Sequence, residues 1–209
     1  MIDLYTWKTP NGRKISILLE ETSLPYTLKP IDISAGAQKT PEFLAISPNG
    51  KIPAIVDHNA AGGPLALFES GAILTYLADK TGQFLPPSEA ARYEVLEWMT
   101  WQLAGLGPMM GQLGFFGRQA ERNEPAIARY AAEVGRLLHV LEDRLASSPY
   151  LGGQAYSIAD MATYPWVAAG LQLMGAMIPE DARALPATAK WLETVGARPA
   201  VQLGMAVPG

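Results

Sequence analysis

The chain has 209 residues, 49% of them apolar and 17% charged, enough for one large domain or two small ones at about 150 residues per domain. That apolar content offsets the ordering entropy that keeps polar chains unfolded, so disorder is excluded for most of the chain. Sixteen basic residues against twenty acidic ones leave a net charge of −4 with no basic run, which argues against nucleic acid as a partner.

In chain order, the first eighty residues switch hydrophobic period repeatedly, as alternating strands and helices do. Ile2 to Tyr5 reads as a strand, and Asn11 to Thr22 places Ile15, Leu18, Leu19 and Thr22 on one helical face. Tyr26 to Ile33 alternates again and closes a βαβ unit, with Pro30 favouring an edge strand. Thr40-Pro41 has the form of an N-cap followed by proline at the first helical position, opening a brief helix through Phe43, Leu44 and Ile46. Ala54 to His58 and Pro64 to Phe68 are apolar strands around the turn-rich Asn59-Ala-Ala-Gly-Gly63. Glu69-Ser70-Gly71 then opens a helix with Ile73, Leu74 and Leu77 facing inward, ended by Gly82.

Phe84-Leu-Pro-Pro-Ser88 is the linker, because two prolines stop the helix and Ser88 can cap the next. Beyond it Ala90 to about Gly117, Pro125 to Ala146, Ile158 to about Met174 and Thr188 to Ala197 are all helical in period. Ser157-Ile-Ala-Asp160 is close to a capping box with Asp in place of Glu or Gln. The expected organisation is an α/β domain over 1–82, a linker over 83–88 and an all-α domain over 89–209. Two uncharged windows, Trp98 to Gly117 and Met161 to Pro179, approach membrane-spanning length. Both are broken by Pro and several Gly and carry Gln102, Gln112 or Gln172, so they read as buried or cleft-lining helices, and no membrane partner is expected.

The absence of cysteine excludes disulfides, thiolate zinc sites, iron–sulfur clusters and a redox thiol of the chain's own. Sulfur chemistry must then come from a ligand. His58 and His139 do not stand in a metal-ligand spacing, and no metal is expected. Met1-Ile-Asp-Leu-Tyr5 lacks the basic and apolar regions of a signal peptide, so the expected location is cytoplasmic.

Three short segments could carry chemistry. Ile52-Pro53 precedes a strand, where a cis bond would expose the Ile52 amide and carbonyl to pair with an extended peptide-like ligand; an ordinary trans loop proline is the alternative. Glu69-Ser70 at a helix start offers a hydroxyl, free amides and the positive dipole end to a carboxylate, with Glu69 for a cationic amine. Together they suit an α-amino acid head, although a Ser here can be a plain cap. Thr9-Pro10-Asn11-Gly12 lies between the first strand and first helix, where βα folds bring ligands to backbone and hydroxyl donors.

In this order and followed by an all-α half, the segments Asn49-Gly-Lys-Ile-Pro53 and Phe68-Glu-Ser-Gly-Ala-Ile73 resemble those of a cytosolic glutathione transferase, from Ile2 to about Pro199. Thr9-Pro-Asn-Gly-Arg-Lys14, Ser47 to Asp57 and Leu106-Gly-Pro-Met109 are most similar to the bacterial nu class, the disulfide-bond oxidoreductase type related to the yeast nitrogen-regulator prion protein. The resemblance implies a thioredoxin-like N-terminal domain that binds glutathione, a helical C-terminal domain lining the second-substrate cleft, and a homodimer. It implies that the Ile52 backbone, preceding Pro53, holds the cysteinyl unit and that Glu69 with Ser70 holds the γ-glutamyl end. Gln38 and Lys51 match positions near the glycyl end, and Arg129 matches an arginine that reaches the site from the partner subunit.

Where most classes place a Tyr, Ser or Cys to activate the thiol, this chain has Thr9 and Asn11. Lowering a thiol pKa from about 8.5 to about 6.5 requires about 2.7 kcal/mol. One hydrogen bond to the charged form supplies about 1.5–3 kcal/mol and a helix N-terminus about 0.3–1, so the Thr9 hydroxyl and Asn11 amide suffice without a base. With no cysteine in the chain, disulfide reduction requires attack by the glutathione thiolate and a second glutathione to resolve the mixed disulfide. The resemblance implies that chemistry, with modest organic hydroperoxide reduction beside it. The alternatives are conjugation to carbon electrophiles and a non-catalytic binding module. Trp98, Trp101, Met109, Met110, Phe115 and Phe116 could line the electrophile cleft, or pack as core, with Gly105 to Pro108 bending their helix.

Overall fold

The computed structural model describes residues 1–209. Strand β1 (Ile2–Thr6) buries Ile2, Leu4 and Thr6 on one face, the period-2 pattern of a strand. It is joined to helix α1 (Pro10–Thr22), whose cap Thr9 has extended backbone and whose first helical position is Pro10. The turn between them requires Gly12, because a side chain there would run into the Thr6 hydroxyl and the Trp7 carbonyl. Ser23, in the left-handed region at φ 53°, ends α1.

Strand β2 (Tyr26–Pro30) runs parallel to β1, with Ile2 opposite Tyr26. It stops at Pro30 rather than continuing to Ile33, and it lies at the sheet edge, where a residue without an N–H is tolerated. A 3₁₀ turn at Ala37–Lys39 and helix α2 (Pro41–Leu44) follow, α2 capped by the Thr40 hydroxyl accepting from the Phe43 amide. Strands β3 (Ala54–Asp57) and β4 (Leu65–Phe68) are antiparallel, and β3 is antiparallel to β1, so the sheet order is β2-β1-β3-β4. Helix α3 (Ser70–Thr81) completes the unit. Leu4, Ile15, Leu18, Leu19, Ile55, Ile73, Leu74 and Leu77 are fully buried and form its core.

Packing divides the chain into two compact units: Met1–Leu85 with Gly196–Gly209, and Pro86–Val195. The boundary read from sequence groups 89–209 together, whereas residues 196–209 belong with the first unit. Their helix α9 (Pro199–Ala206) is too short to show a periodic stripe. It docks on α1, where the Ser16 hydroxyl donates to the Gly204 carbonyl at 2.6 Å and Arg198 makes paired bonds to Glu21 at 2.6 and 2.8 Å. A Cβ at Gly204 would stand 2.5 Å from the Ile17 backbone, so only glycine permits this approach.

The second unit is helical: α4 (Glu89–Trp101), α5 (Gly107–Gly117), α6 (Glu124–Ser147), α7 (Ile158–Met174) and α8 (Pro186–Gly196). The continuous helix expected over 90–117 is instead interrupted by a π-helical turn at Gln102–Leu106. Pro108 has no N–H to offer the preceding turn, and a side chain at Gly107 would stand 2.6 Å from the Gln102 amide nitrogen, so the ladder widens here. Of the residues offered as a cleft wall, Met110 is fully buried, Trp98 meets Trp101 edge-on at 5.4 Å, and Phe116 stacks on Tyr130 at 5.6 Å, whereas Phe115 is exposed. The capping box is formed: Asp160 accepts from the Ser157 amide at 3.0 Å and also from the Leu151 amide and the Trp191 indole. No helix is long and apolar enough to cross a membrane.

Candidate functional site

At one end of the sheet, β4 passes directly into α3, and Glu69 stands at the junction with φ 70°, ψ 116°. A non-glycine residue in this region carries backbone strain of about 1–3 kcal/mol. Glu69 is the N-cap of α3, yet its side chain makes no capping bond. Ser70 is therefore a buried residue of the first helical turn rather than the cap that Ser at such a position suggests. The result is a carboxylate that does not cap its helix, lining the same cavity as a helix N-terminus whose amides and dipole favour an anion.

The loop from α2 to β3 supplies the opposite wall. The buried Ser47 hydroxyl donates to the Lys51 carbonyl at 2.9 Å, and the Gly50 amide donates to the Ser47 carbonyl at 2.8 Å with Gly50 at φ 61°. This turn presents Lys51, Ile52 and Pro53, and the Ile52–Pro53 bond is cis. Asn49 Nδ2 donates to Glu69 Oε1 at 3.4 Å, joining the turn to the α3 junction.

Between these walls and the start of α1 is a cavity of about 210 Å³, lined by Asn11, Asn49, Lys51, Ile52, Pro53, Phe68, Glu69 and Ser70. The structure thus brings together Asn11, Lys51, Ile52, Pro53, Glu69 and Ser70 of the residues singled out from the sequence. It does not place Thr9 in the lining: its hydroxyl oxygen caps α1 by accepting from the Gly12 amide at 3.2 Å. That hydroxyl still has a hydrogen to donate. Gln38, in the 3₁₀ turn, also lies outside the lining, but its Oε1 is buried without a hydrogen-bond partner. Arg129 is exposed on α6 in the second unit. There, after Arg136, it helps hold the Glu133 carboxyl below the usual carboxylate value.

Asn49 and Phe68 were present in the motifs but not assigned to the site. Lys14 likewise stands in the motif Thr9-Pro-Asn-Gly-Arg-Lys14 with no role assigned to it. Lys14 is 1% exposed, among the largest fully buried side chains, and burial pushes its ammonium down to about 7 while the Glu69 carboxylate pulls it back up. The signal available was its spacing of four from Leu18, which places it on the buried stripe of α1.

A family model for the glutathione S-transferase N-terminal domain matches residues 1–79, and one for the C-terminal domain of the same family matches residues 107–199. The disulfide-bond oxidoreductase YfcG of Escherichia coli strain K12 is 52% identical over 203 residues, spanning 96% of this chain and 92% of that protein. The chain belongs to the glutathione S-transferase family. Solved structures agree. A glutathione transferase family member from Pseudomonas fluorescens pf-5, crystallised with two glutathione bound, superposes with a TM-score of 0.93 at 44% identity, covering 99% of this chain and 93% of that one. A glutathione transferase from Pseudomonas putida, with one glutathione disulfide bound per subunit, gives 0.92 at 42%, covering 100% and 92%. The thioredoxin-like N-terminal domain and helical C-terminal domain expected of such an enzyme are both present.

Proposed function

We propose that the cavity binds glutathione as co-substrate and that the enzyme reduces small or mixed disulfides with it. The observation that carries this reading is the cavity itself. A carboxylate that does not cap its own helix and a helix N-terminus are offered to the zwitterionic γ-glutamyl head, and the Ile52 backbone to the peptide unit. Lys51 offers a cation to the glycyl carboxylate, and in this reading the Gln38 side-chain NH₂ is a second donor to it.

Asn11, at the first turn of α1, stabilises the thiolate by donating from its amide, with the Thr9 hydroxyl as the second donor. The thiolate attacks one sulfur of the disulfide, forming a mixed disulfide and releasing the other sulfur as a thiolate that takes a proton. A second glutathione thiolate attacks the glutathionyl sulfur, giving glutathione disulfide and the second thiol. The chain supplies no thiol of its own. Support comes from the name of the Escherichia coli relative and from the two bacterial neighbours, one holding two glutathione and one holding glutathione disulfide, the reactant and product of that exchange. The same thiolate accounts for modest hydroperoxide reduction. The reading includes a homodimer in which Arg129 reaches the partner's site, and a cytoplasmic, reducing location.

Steady-state reduction of a small dialkyl disulfide by glutathione, coupled to glutathione reductase, tests this. Turnover that falls in Asn11→Ala and Thr9→Ala is expected. Binding of glutathione without turnover on disulfide would overturn the reading; activity on an aryl halide alone would point to conjugation instead, and no turnover on any of them to a binding module.

A further inference from the structure

We propose that Ser47 is a positioning residue that aims the Ile52 amide N–H at the cavity by holding the carbonyl end of the same peptide unit. The inference rests on the reading of the Ile52 backbone as the subsite for the peptide unit of glutathione.

Ser47 follows α2 and makes three hydrogen bonds. Its amide donates to the Phe43 carbonyl at 2.8 Å, its carbonyl accepts from the Gly50 amide at 2.8 Å, and its hydroxyl donates to the Lys51 carbonyl at 2.9 Å. The first bond ties the turn to α2, whose Phe43 is buried and meets the Tyr5 ring of β1 at 6.2 Å. The second closes the turn, which Gly50 permits with its φ of 61°. A Cβ on Gly50 would stand 3.3 Å from the Gln38 carbonyl oxygen, so the 3₁₀ turn backs the loop from behind. Ser47 is fully buried, and the third bond therefore holds the Lys51 carbonyl toward the interior of the first unit.

The consequence falls on the next residue. The Lys51 C=O and the Ile52 N–H belong to one peptide unit, and that unit is trans, so the two groups lie in one plane and point in opposite directions. With the carbonyl fixed inward, the Ile52 N–H is turned outward, in the loop whose Lys51 and Ile52 line the cavity. That N–H donates to no group of the chain, which leaves it for an acceptor on the ligand. Without the Ser47 hydroxyl, ψ of Lys51 and φ of Ile52 can turn together and reverse the unit while the Cα positions stay in place. A donor already held in one direction costs less to order on binding than one that must be selected from two.

The test compares the full-length wild type with Ser47→Ala. The dissociation constant of glutathione is read by titration calorimetry, with KM and kcat in parallel and thermal melts to verify folding. The Ile52 amide resonance is followed in protein labelled with nitrogen-15 isoleucine, with and without saturating glutathione. In wild type that amide proton is expected to move downfield as it gains an acceptor. Ser47→Ala is expected to bind glutathione about fivefold more weakly, within the net contribution of one hydrogen bond, to raise KM more than it lowers kcat, and to show a smaller Ile52 shift at saturation. Ser47→Cys, of similar size but with only a weak S–H donor, serves as a second replacement should the alanine variant fail to fold. Unchanged affinity, or a full Ile52 shift in the saturated variant whatever its melting temperature, would overturn the inference while leaving the glutathione site intact. If glutathione leaves the Ile52 amide of wild type unmoved, the subsite reading fails and the inference falls with it.

Discussion

Asn49 Nδ2 donates to Glu69 Oε1 at 3.4 Å, joining two loops twenty residues apart across the mouth of the cavity. Both residues are exposed, so the bond contributes little to stability and acts on the geometry of the carboxylate. Asn49→Ala is expected to leave the melting temperature within about 1 °C and to raise KM for glutathione about threefold, at the low end of the net worth of an ordinary hydrogen bond because this one is long and exposed. Equal KM values would show that Asn49 does not orient Glu69.

The cap that Thr9 forms and the donor role proposed for it can be separated by substitution. Thr9→Ala removes both the cap and the hydroxyl donor, and is expected to destabilise by about 1 kcal/mol and to slow disulfide reduction. Thr9→Asp keeps an oxygen for the Gly12 amide but puts a negative charge beside the thiolate. Its stability should match wild type, while the rate at pH 7 falls at least about threefold, the loss of thiolate when a thiol pKa of about 6.5 rises by about one unit. A Thr9→Asp enzyme of normal rate would confine Thr9 to capping.

Stability should depend on pH through Lys14. Its folded value is depressed to about 7 from the ordinary 10.5. Between these values the unfolded chain binds a proton that the folded chain lacks, so unfolding becomes harder as pH rises. In the ligand-free protein this amounts to about 2–3 kcal/mol from pH 7 to pH 9, at about 1.4 kcal/mol per pH unit. Urea denaturation of wild type against Lys14→Met isolates the contribution: the wild type should gain over the variant across that interval, and parallel curves would refute the assignment.

In the second unit, Asp160 accepts from Leu151 and Trp191 with one oxygen and from the Ser157 amide and hydroxyl with the other. Asp160→Asn keeps the first pair but turns an NH₂ group toward the Ser157 amide. Leaving that buried donor unmatched costs about 1–3 kcal/mol, and a protein of this size loses about 2–4 °C of melting temperature for each. Burial raises the Asp160 carboxyl above its ordinary value against the four bonds. Wild-type stability should therefore decline through Asp160 as pH rises past the ordinary carboxylate range, and urea denaturation of the variant should lack that decline.

Periodicity and capping chemistry made the elements that frame the cavity legible. Thr9-Pro10 and Thr40-Pro41 announce helix starts by local bonds alone, and both caps form. The same local logic failed at Ser70, because the cap is the residue before it and its left-handed backbone is imposed by the join between β4 and α3. The burial of Lys14 is marked only by its helical spacing, for a related reason. A lysine on a helix is ordinarily exposed, and its burial depends on α3 and α9 packing around α1. The π-helical turn before Pro108 was anticipated as a bend, since a missing N–H disturbs the ladder but does not say how the ladder recovers.

The return of α9 to α1 also sets an order of events during synthesis. Residues 196–209 follow the whole of Pro86–Val195 in the chain, yet they belong to the unit that begins at Met1. While the second unit is still being made, Ile17 lacks the cover of Gly204, and Glu21 lacks the two bonds from Arg198. The glutathione-binding half must therefore wait on the ribosome with one face of its first helix bare, and it closes only after the helical half has emerged.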